Sequence, residues 1–420
     1  MPGLVVVDHA FELPLVHEDP DGRTITVFAR EVVAPRKRRD DLPWLVFLQG
    51  GPGGKGPRPG NRSGWLGRAL LDFRVLLLDQ RGTGRSTPTT RHSLPALGPP
   101  EAQAEYLTHL RADAIVRDAE AIRRELVRDA PWTALGQSYG GFCALTYLSF
   151  APEGLREVLI TGGLASLDAT ADAVYHATYP RVRDKMARFR ERYPDDQDIL
   201  DRLADRIAHD DVRLPSGERL TVERLATIGT AFGMSDGFER VHYLLDEAFA
   251  TPARDTLSDT FLRRLLQDTS YGDWPLYAVL QEAIYGQGAT PTRWAAQRVR
   301  ESLPDFDPTA RPVQLTGEMI YPWMFEQDYA LTALRPATEL LHTKSDWTPL
   351  YDLDRLAANT VPVAAAVYHD DMYVDYGLSM DTARRVGSLR AWVTSEFEHD
   401  GLRAEVRVFD HLLAMVRGEA

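Results

Sequence analysis

The pentapeptide Gly136-Gln137-Ser138-Tyr139-Gly140 constrains this chain more than any other stretch. It follows a short apolar segment, 133–136, and opens a run of small and apolar residues, 140–150. That context reads as a sharp turn from a buried strand into a helix. Glycine suits both flanks of such a turn, because a Cβ there would collide with neighbouring backbone. The turn throws the Ser138 side chain clear of the sheet edge and seats it at a helix N-terminus, where free N–H groups and the helix dipole favour negative charge. A serine presented this way in G-x-S-x-G is a candidate nucleophile.

The surrounding segments supply a sheet for that turn. Apolar, β-branched runs at 24–33, 43–48, 73–78, 133–136 and 156–161 read as strands, and 113–127 and 140–150 as helices. This alternation implies a mostly parallel sheet flanked by helices on both faces. From about residue 167 to 341 the text changes to helical stretches rich in Arg, Asp, Glu and Tyr, at 180–192, 197–209, 238–250, 262–268 and 276–285. Strand signals return at 361–368 and 389–394, and a closing helix is expected over 402–416. The expected organisation is one sheet built from residues 1–165 and 342–420, interrupted by a helical insertion over 166–341.

A serine nucleophile needs an oxyanion site, a base and an acid that orients the base. Gln49-Gly50-Gly51-Pro52-Gly53-Gly54 follows the 43–48 strand, where α/β-hydrolases carry a Gly-rich oxyanion loop. The expected donors are the N–H groups of Gly51 and Tyr139. Lys55 gives the loop a passing likeness to a phosphate-binding loop, but the spacing is wrong and Gly56 stands where Ser or Thr is required. In this fold the acid and then the histidine lie on loops after late strands. The 361–368 strand runs into His369-Asp370-Asp371, leaving two candidate acids. The 389–394 strand runs into a loop carrying His399, the expected base. His411 is the rival, but it falls inside the closing helix. Cys143 reads as a small buried hydrophobe on the helix after Ser138.

Composition excludes other classes. A net charge of −13, from 61 acidic and 48 basic residues in 420, argues against nucleic acid or an anionic membrane as the main partner. The basic run 35–39 is followed at once by Asp40 and Asp41 and reads as a solvated loop. The longest apolar run, 361–368, is far short of a membrane span. No secretory signal opens the sequence, and a single cysteine excludes an internal disulfide framework and a Cys-based zinc cluster. A reducing cytoplasm is the expected setting.

With these residues placed, the chain resembles the proline iminopeptidase (prolyl aminopeptidase) family of α/β-hydrolase-fold serine peptidases over nearly its whole length. The resemblance rests on Gly50-Gly51-Pro52-Gly53-Gly54, on Asp79-Gln80-Arg81-Gly82-Thr83-Gly84-Arg85-Ser86, and on Gly136-Gln137-Ser138-Tyr139-Gly140-Gly141. It implies removal of an N-terminal proline from peptides through an acyl-enzyme, without metal or organic cofactor. Ser138, Asp371 and His399 would be nucleophile, acid and base. Asp371 is preferred over Asp370 because Asp371-Met372-Tyr373-Val374-Asp375 resembles the segment that carries the acid in the longer members. Many members have His where this chain has Gln49, a position that supports the loop.

The resemblance also implies that carboxylates of a helical cap grip the substrate's free ammonium. Glu318 lies among Met319, Ile320, Tyr321, Trp323 and Phe325. An ionised acid there is costly unless an internal arginine or the substrate's ammonium meets it. Glu282, expected on the 276–285 helix, resembles a second such carboxylate. Two other readings use the same fold: an esterase, amidase or broader aminopeptidase with a different pocket, and a silent binding scaffold. Silent scaffolds typically lose a triad member or the oxyanion glycines, and candidates for all of these are present here. Epoxide and haloalkane hydrolases place Asp where this chain has Ser138.

Overall fold

The computed structural model describes residues 3–251 and 256–420. Its strands are β1 (Val5–Pro14), β2 (Thr24–Val33), β3 (Trp44–Leu48), β4 (Arg74–Leu78), β5 (Trp132–Gln137), β6 (Leu155–Thr161), β7 (Val363–Tyr368) and β8 (Leu389–Thr394). They form one sheet in the order β1-β2-β4-β3-β5-β6-β7-β8. β2 pairs antiparallel with β1 and β4, and every other neighbouring pair is parallel. This is an α/β-hydrolase sheet.

Side-chain alternation along the strands gives the sheet two dry faces. Val46, Leu48, Leu76 and Leu78 face one buried cluster, while Leu45, Phe47, Val75 and Leu77 face the other. The second cluster is closed by Leu66, Phe409, Leu412 and Leu413. The first continues without a break into Tyr175, Met186, Phe189 and Leu225 of the segment between β6 and β7. Among the described residues that segment holds helices, turns and isolated bridges but no ladder strand. No helix of the described residues is long and apolar enough to cross a membrane.

One strand is unforeseen and three local expectations need correction. β1 carries Asp8, His9 and Glu12 on an edge paired only to β2, so it lacks the apolar run that marks a central strand. The helix expected to start at Pro180 is Ala171–Arg192, with Pro180 in its interior. Proline is favoured at a helix start, and this one does not mark it. The 276–285 helix stops at Leu280 and resumes as a 3₁₀ turn over Ala283–Tyr285. The closing helix is broken at Glu405, whose extended backbone separates Gly401–Ala404 from Val406–Arg417.

Candidate active site

Ser138 stands between β5 and the Tyr139–Phe150 helix with φ 55° and ψ −125°. This left-handed backbone is rare for a residue with a Cβ. Crowding around the turn forbids side chains at its flanks. A Cβ on Gly140 would lie 1.9 Å from the Leu48 carbonyl oxygen, and one on Gly136 would lie 2.4 Å from that of Gly140. The Ser138 N–H donates to the Thr161 carbonyl of β6, 3.0 Å away, which ties the turn to the sheet.

The loop after β3 approaches this serine. Gly51 adopts φ 134°, a backbone that glycine tolerates and other residues rarely adopt. Neither the Gly51 nor the Tyr139 N–H has a hydrogen-bond partner among the described residues. The loop is braced from below by Asp79, whose buried carboxylate accepts from the Gly56 N–H (2.9 Å), the Arg85 N–H (2.8 Å) and both Nη groups of Arg58. Gln80 donates from Nε2 to the Gln49 carbonyl at 2.9 Å. Arg81 is fully buried on Asp118 and on the Leu15 and His109 carbonyls. In the sequence this 79–86 string carries only a family likeness. Its conformational task could be suspected only from the number of polar groups it packs between two strand ends.

Asp371 follows β7 and His399 follows β8. Asp371 Oδ2 accepts from His399 Nδ1 at 2.7 Å, while Oδ1 takes the N–H groups of Tyr373 (2.8 Å) and Val374 (3.1 Å). Both residues are buried. Burial works to depress the His399 imidazole, but the charge and hydrogen bond of Asp371, with Glu318 and Asp400 nearby, outweigh it and raise its pKa. The Tyr373 ring meets the imidazole edge-on at 4.8 Å. Asp370 instead pairs with Arg188 (2.7 Å) and His369 (2.9 Å), and the Arg188 hydrogen bond first among several causes holds its carboxyl down at about 2. His411 packs on Trp392, 4.4 Å between centroids, and does not reach this cavity. Cys143 is fully buried, and burial pushes its thiol up.

Ser138, His399, Gly50 and Gly51 line one cavity of about 390 Å³, together with Glu318, Tyr277, Trp274 and Tyr373. Glu318 accepts from the Tyr277 hydroxyl at 2.7 Å. Among the described residues no lysine or arginine forms an ion pair with it. Desolvation pushes its carboxyl up to about 7, against the pull of His399 and Tyr277. The residues Thr230, Met234, Trp274, Tyr277, Glu318 and Tyr373 also line a second cavity of about 330 Å³, bordered otherwise by residues of the helical segment such as Thr227, Arg240 and Leu244.

Glu282 stands in different surroundings from Glu318. It is buried at the break in the expected 276–285 helix, and its carboxylate is taken up by the protein itself. Oε2 accepts from the Ala295 N–H and Oε1 from the Ala296 N–H, both at 2.9 Å, and His342 Nδ1 lies 3.2 Å away. It secures the start of the Ala295–Glu301 helix and does not line either cavity. An acid facing two helix N-terminal amides is well stabilised without any ligand.

Comparison with known proteins supplies the relatives of this arrangement. Residues 43–205 match the family model described as alpha/beta hydrolase fold. A proline iminopeptidase from Aeromonas sobria is 48% identical over 99% of this chain and 97% of its own. A second proline iminopeptidase, from Aspergillus aculeatus, is 35% identical over 94% of this chain and 90% of its own.

Proposed function

Because the chain belongs to the proline iminopeptidase family of α/β hydrolases, we propose that it releases N-terminal proline from peptides through an acyl-enzyme on Ser138. The observation that carries this reading is Glu318: a carboxylate beside the serine and histidine, in an aromatic wall, with no lysine or arginine paired to it among the described residues. The prolyl ammonium is the missing partner, and Tyr277, Trp274 and Tyr373 suit the flat apolar ring.

In this reading Asp371 holds the proton on His399 Nδ1, which leaves Nε2 free to act as base. Nε2 takes the Ser138 hydroxyl proton as Oγ attacks the prolyl carbonyl carbon. The oxyanion that forms is met by the N–H groups of Gly51 and Tyr139. Collapse breaks the amide bond, and His399 returns its proton to the leaving amine. Water then attacks the ester with the same base, and free proline departs. Anchoring the ammonium on Glu318 fixes the scissile carbonyl against the nucleophile. Glu282 holds the cap's own helix and leaves substrate contact to Glu318. Residues 166–341 act as the cap over a core made of 1–165 and 342–420. The lone cysteine, buried and unpaired, suits the cytoplasm as the working compartment.

The test is a pair of substrates. Prolyl arylamide should be cleaved well and N-acetyl-prolyl arylamide barely at all. Glu318→Gln should lower kcat/KM on the free prolyl substrate by about two to four decades, the cost of leaving one side of a buried ion pair unmatched. An uncharged acyl ester should lose far less. Equal cleavage of free and acetylated substrates would replace this reading with an esterase or amidase.

A further inference from the structure

The active-site cavity is electrically lopsided along its length. At the cap end stands Glu318 amid Tyr277 and Trp274, which this cavity shares with the second one. At the other end the wall is built by the core, from Phe47, Pro57, Trp65, Leu402 and Arg403, none of which borders the second cavity. Among the described residues lining the cavity, Arg403 is the only lysine or arginine. A substrate whose ammonium sits on Glu318 and whose scissile carbonyl meets Ser138 sends its leaving chain toward this core end.

Arg403 is held for such a role while remaining open. It lies on the short Gly401–Ala404 turn just past His399. Its Nη2 donates to Asp400 Oδ2 at 2.8 Å, and 68% of its side chain is exposed. Asp400 is itself fixed from the cap side, because its Oδ1 accepts from the Ser235 N–H (2.9 Å) and hydroxyl (2.6 Å). Nη2 also donates weakly to Met234 Sδ at 3.8 Å, so the guanidinium is aimed through one nitrogen and keeps its other N–H groups for a second acceptor. An extended residue spans about 3.5 Å, and Arg403 lines the same cavity as Ser138 and His399. The carboxylate of the residue after proline thus falls within the reach of a side chain as long as arginine.

We propose that Arg403 recognises the C-terminal carboxylate of a dipeptide substrate, so that the site reads a proline-first dipeptide by both of its charged ends. This inference rests on the prolyl aminopeptidase reading above. The partnership of Arg403 with Asp400 and its exposure keep the effect modest, because solvent screens exposed pairs.

The experiment compares Pro-Gly, Pro-Gly-amide and prolyl p-nitroanilide on wild type, Arg403→Gln and Arg403→Glu. For Pro-Gly, Arg403→Gln should raise KM by about threefold to fivefold and Arg403→Glu by more, with kcat little changed. The amide and the anilide lack the carboxylate and should keep their KM within about twofold, which also reports that the variants fold and turn over. The wild-type preference for Pro-Gly over its amide should shrink as salt is added. Equal shifts for Pro-Gly and its amide, or no shift for either, overturn the inference while leaving the aminopeptidase reading intact. No turnover of any prolyl substrate by wild type overturns that reading, and this inference with it.

Discussion

Ser138 holds a backbone that glycine would adopt without strain, and a non-glycine residue in such a region costs about 1–3 kcal/mol. Ser138→Gly should therefore unfold at a higher temperature than Ser138→Ala in a thermal melt, while both variants lose about 10⁴-fold or more in kcat. Glu318 carries a second tension. Its carboxyl is raised above the ordinary value by desolvation, so the folded chain holds this proton more tightly than the unfolded chain between about pH 4.5 and 7. Its contribution to stability is accordingly lost as pH rises through that window. Glu318→Gln should gain on wild type in Tm from pH 5 to pH 8, by on the order of 2 °C at the upper end. The same acid helps to raise His399. On an uncharged ester, the acid limb of the pH profile should therefore move to lower pH in Glu318→Gln. Glu318 stood out in the sequence because a carboxylate in an aromatic run is conspicuous. The surroundings of Glu282 could not be foreseen, because its partners are backbone amides 13 and 14 residues away, and an amide donor leaves no mark in a sequence.

Between β7 and β8 lies the Tyr376–Arg385 helix, and the two loops at the ends of these strands face a cap helix, Ala171–Arg192. Lys185 pairs with Glu398 and Arg188 with Asp370, each acid being the immediate neighbour of His399 or Asp371. The His399 N–H also donates to the Gly233 carbonyl at 3.0 Å. Adjacent carboxylates thus do different work: one orients an imidazole, and the next fastens a loop to the cap. Asp371→Asn should cost about 10⁴-fold in kcat by favouring the wrong imidazole tautomer. Asp370→Asn removes a partly exposed pair and should cost no more than about threefold. Steady-state rates on prolyl arylamide compare the two directly, and equal losses would contradict the separation. The central strands were legible because burial on both faces forces continuous apolar runs. The edge strand β1 and the break at Glu405 were not. An edge mixes polar residues into its pattern, and no glycine or proline announces that break.

Sheet and cap share one apolar cluster, and a buried arginine is set at their junction. Arg111 donates to the carbonyls of Ala283 (2.9 Å), Gly286 (2.6 Å) and Thr348 (3.0 Å), with its guanidinium 4.5 Å from the Trp347 ring centroid. Arg111→Met would strand these carbonyls away from water and should cost about 3 kcal/mol. Calorimetry should show a lowered Tm in a single transition, whereas a separate cap transition would contradict a shared core. Neither the arginine's partners nor the continuity of the core could be read beforehand, since both depend on chain segments far apart in sequence. The helical segment between β6 and β7 also supplies part of the wall around Ser138, including Trp274, Tyr277 and Glu318. Ser138 is only 8% exposed at the floor of its cavity. The rounded flank of a folded protein cannot descend to it, and a single loose chain end can. For a peptidase, a serine set this far in acts as a filter on shape before any bond is broken: a thin, extended chain end fits where a broad surface does not.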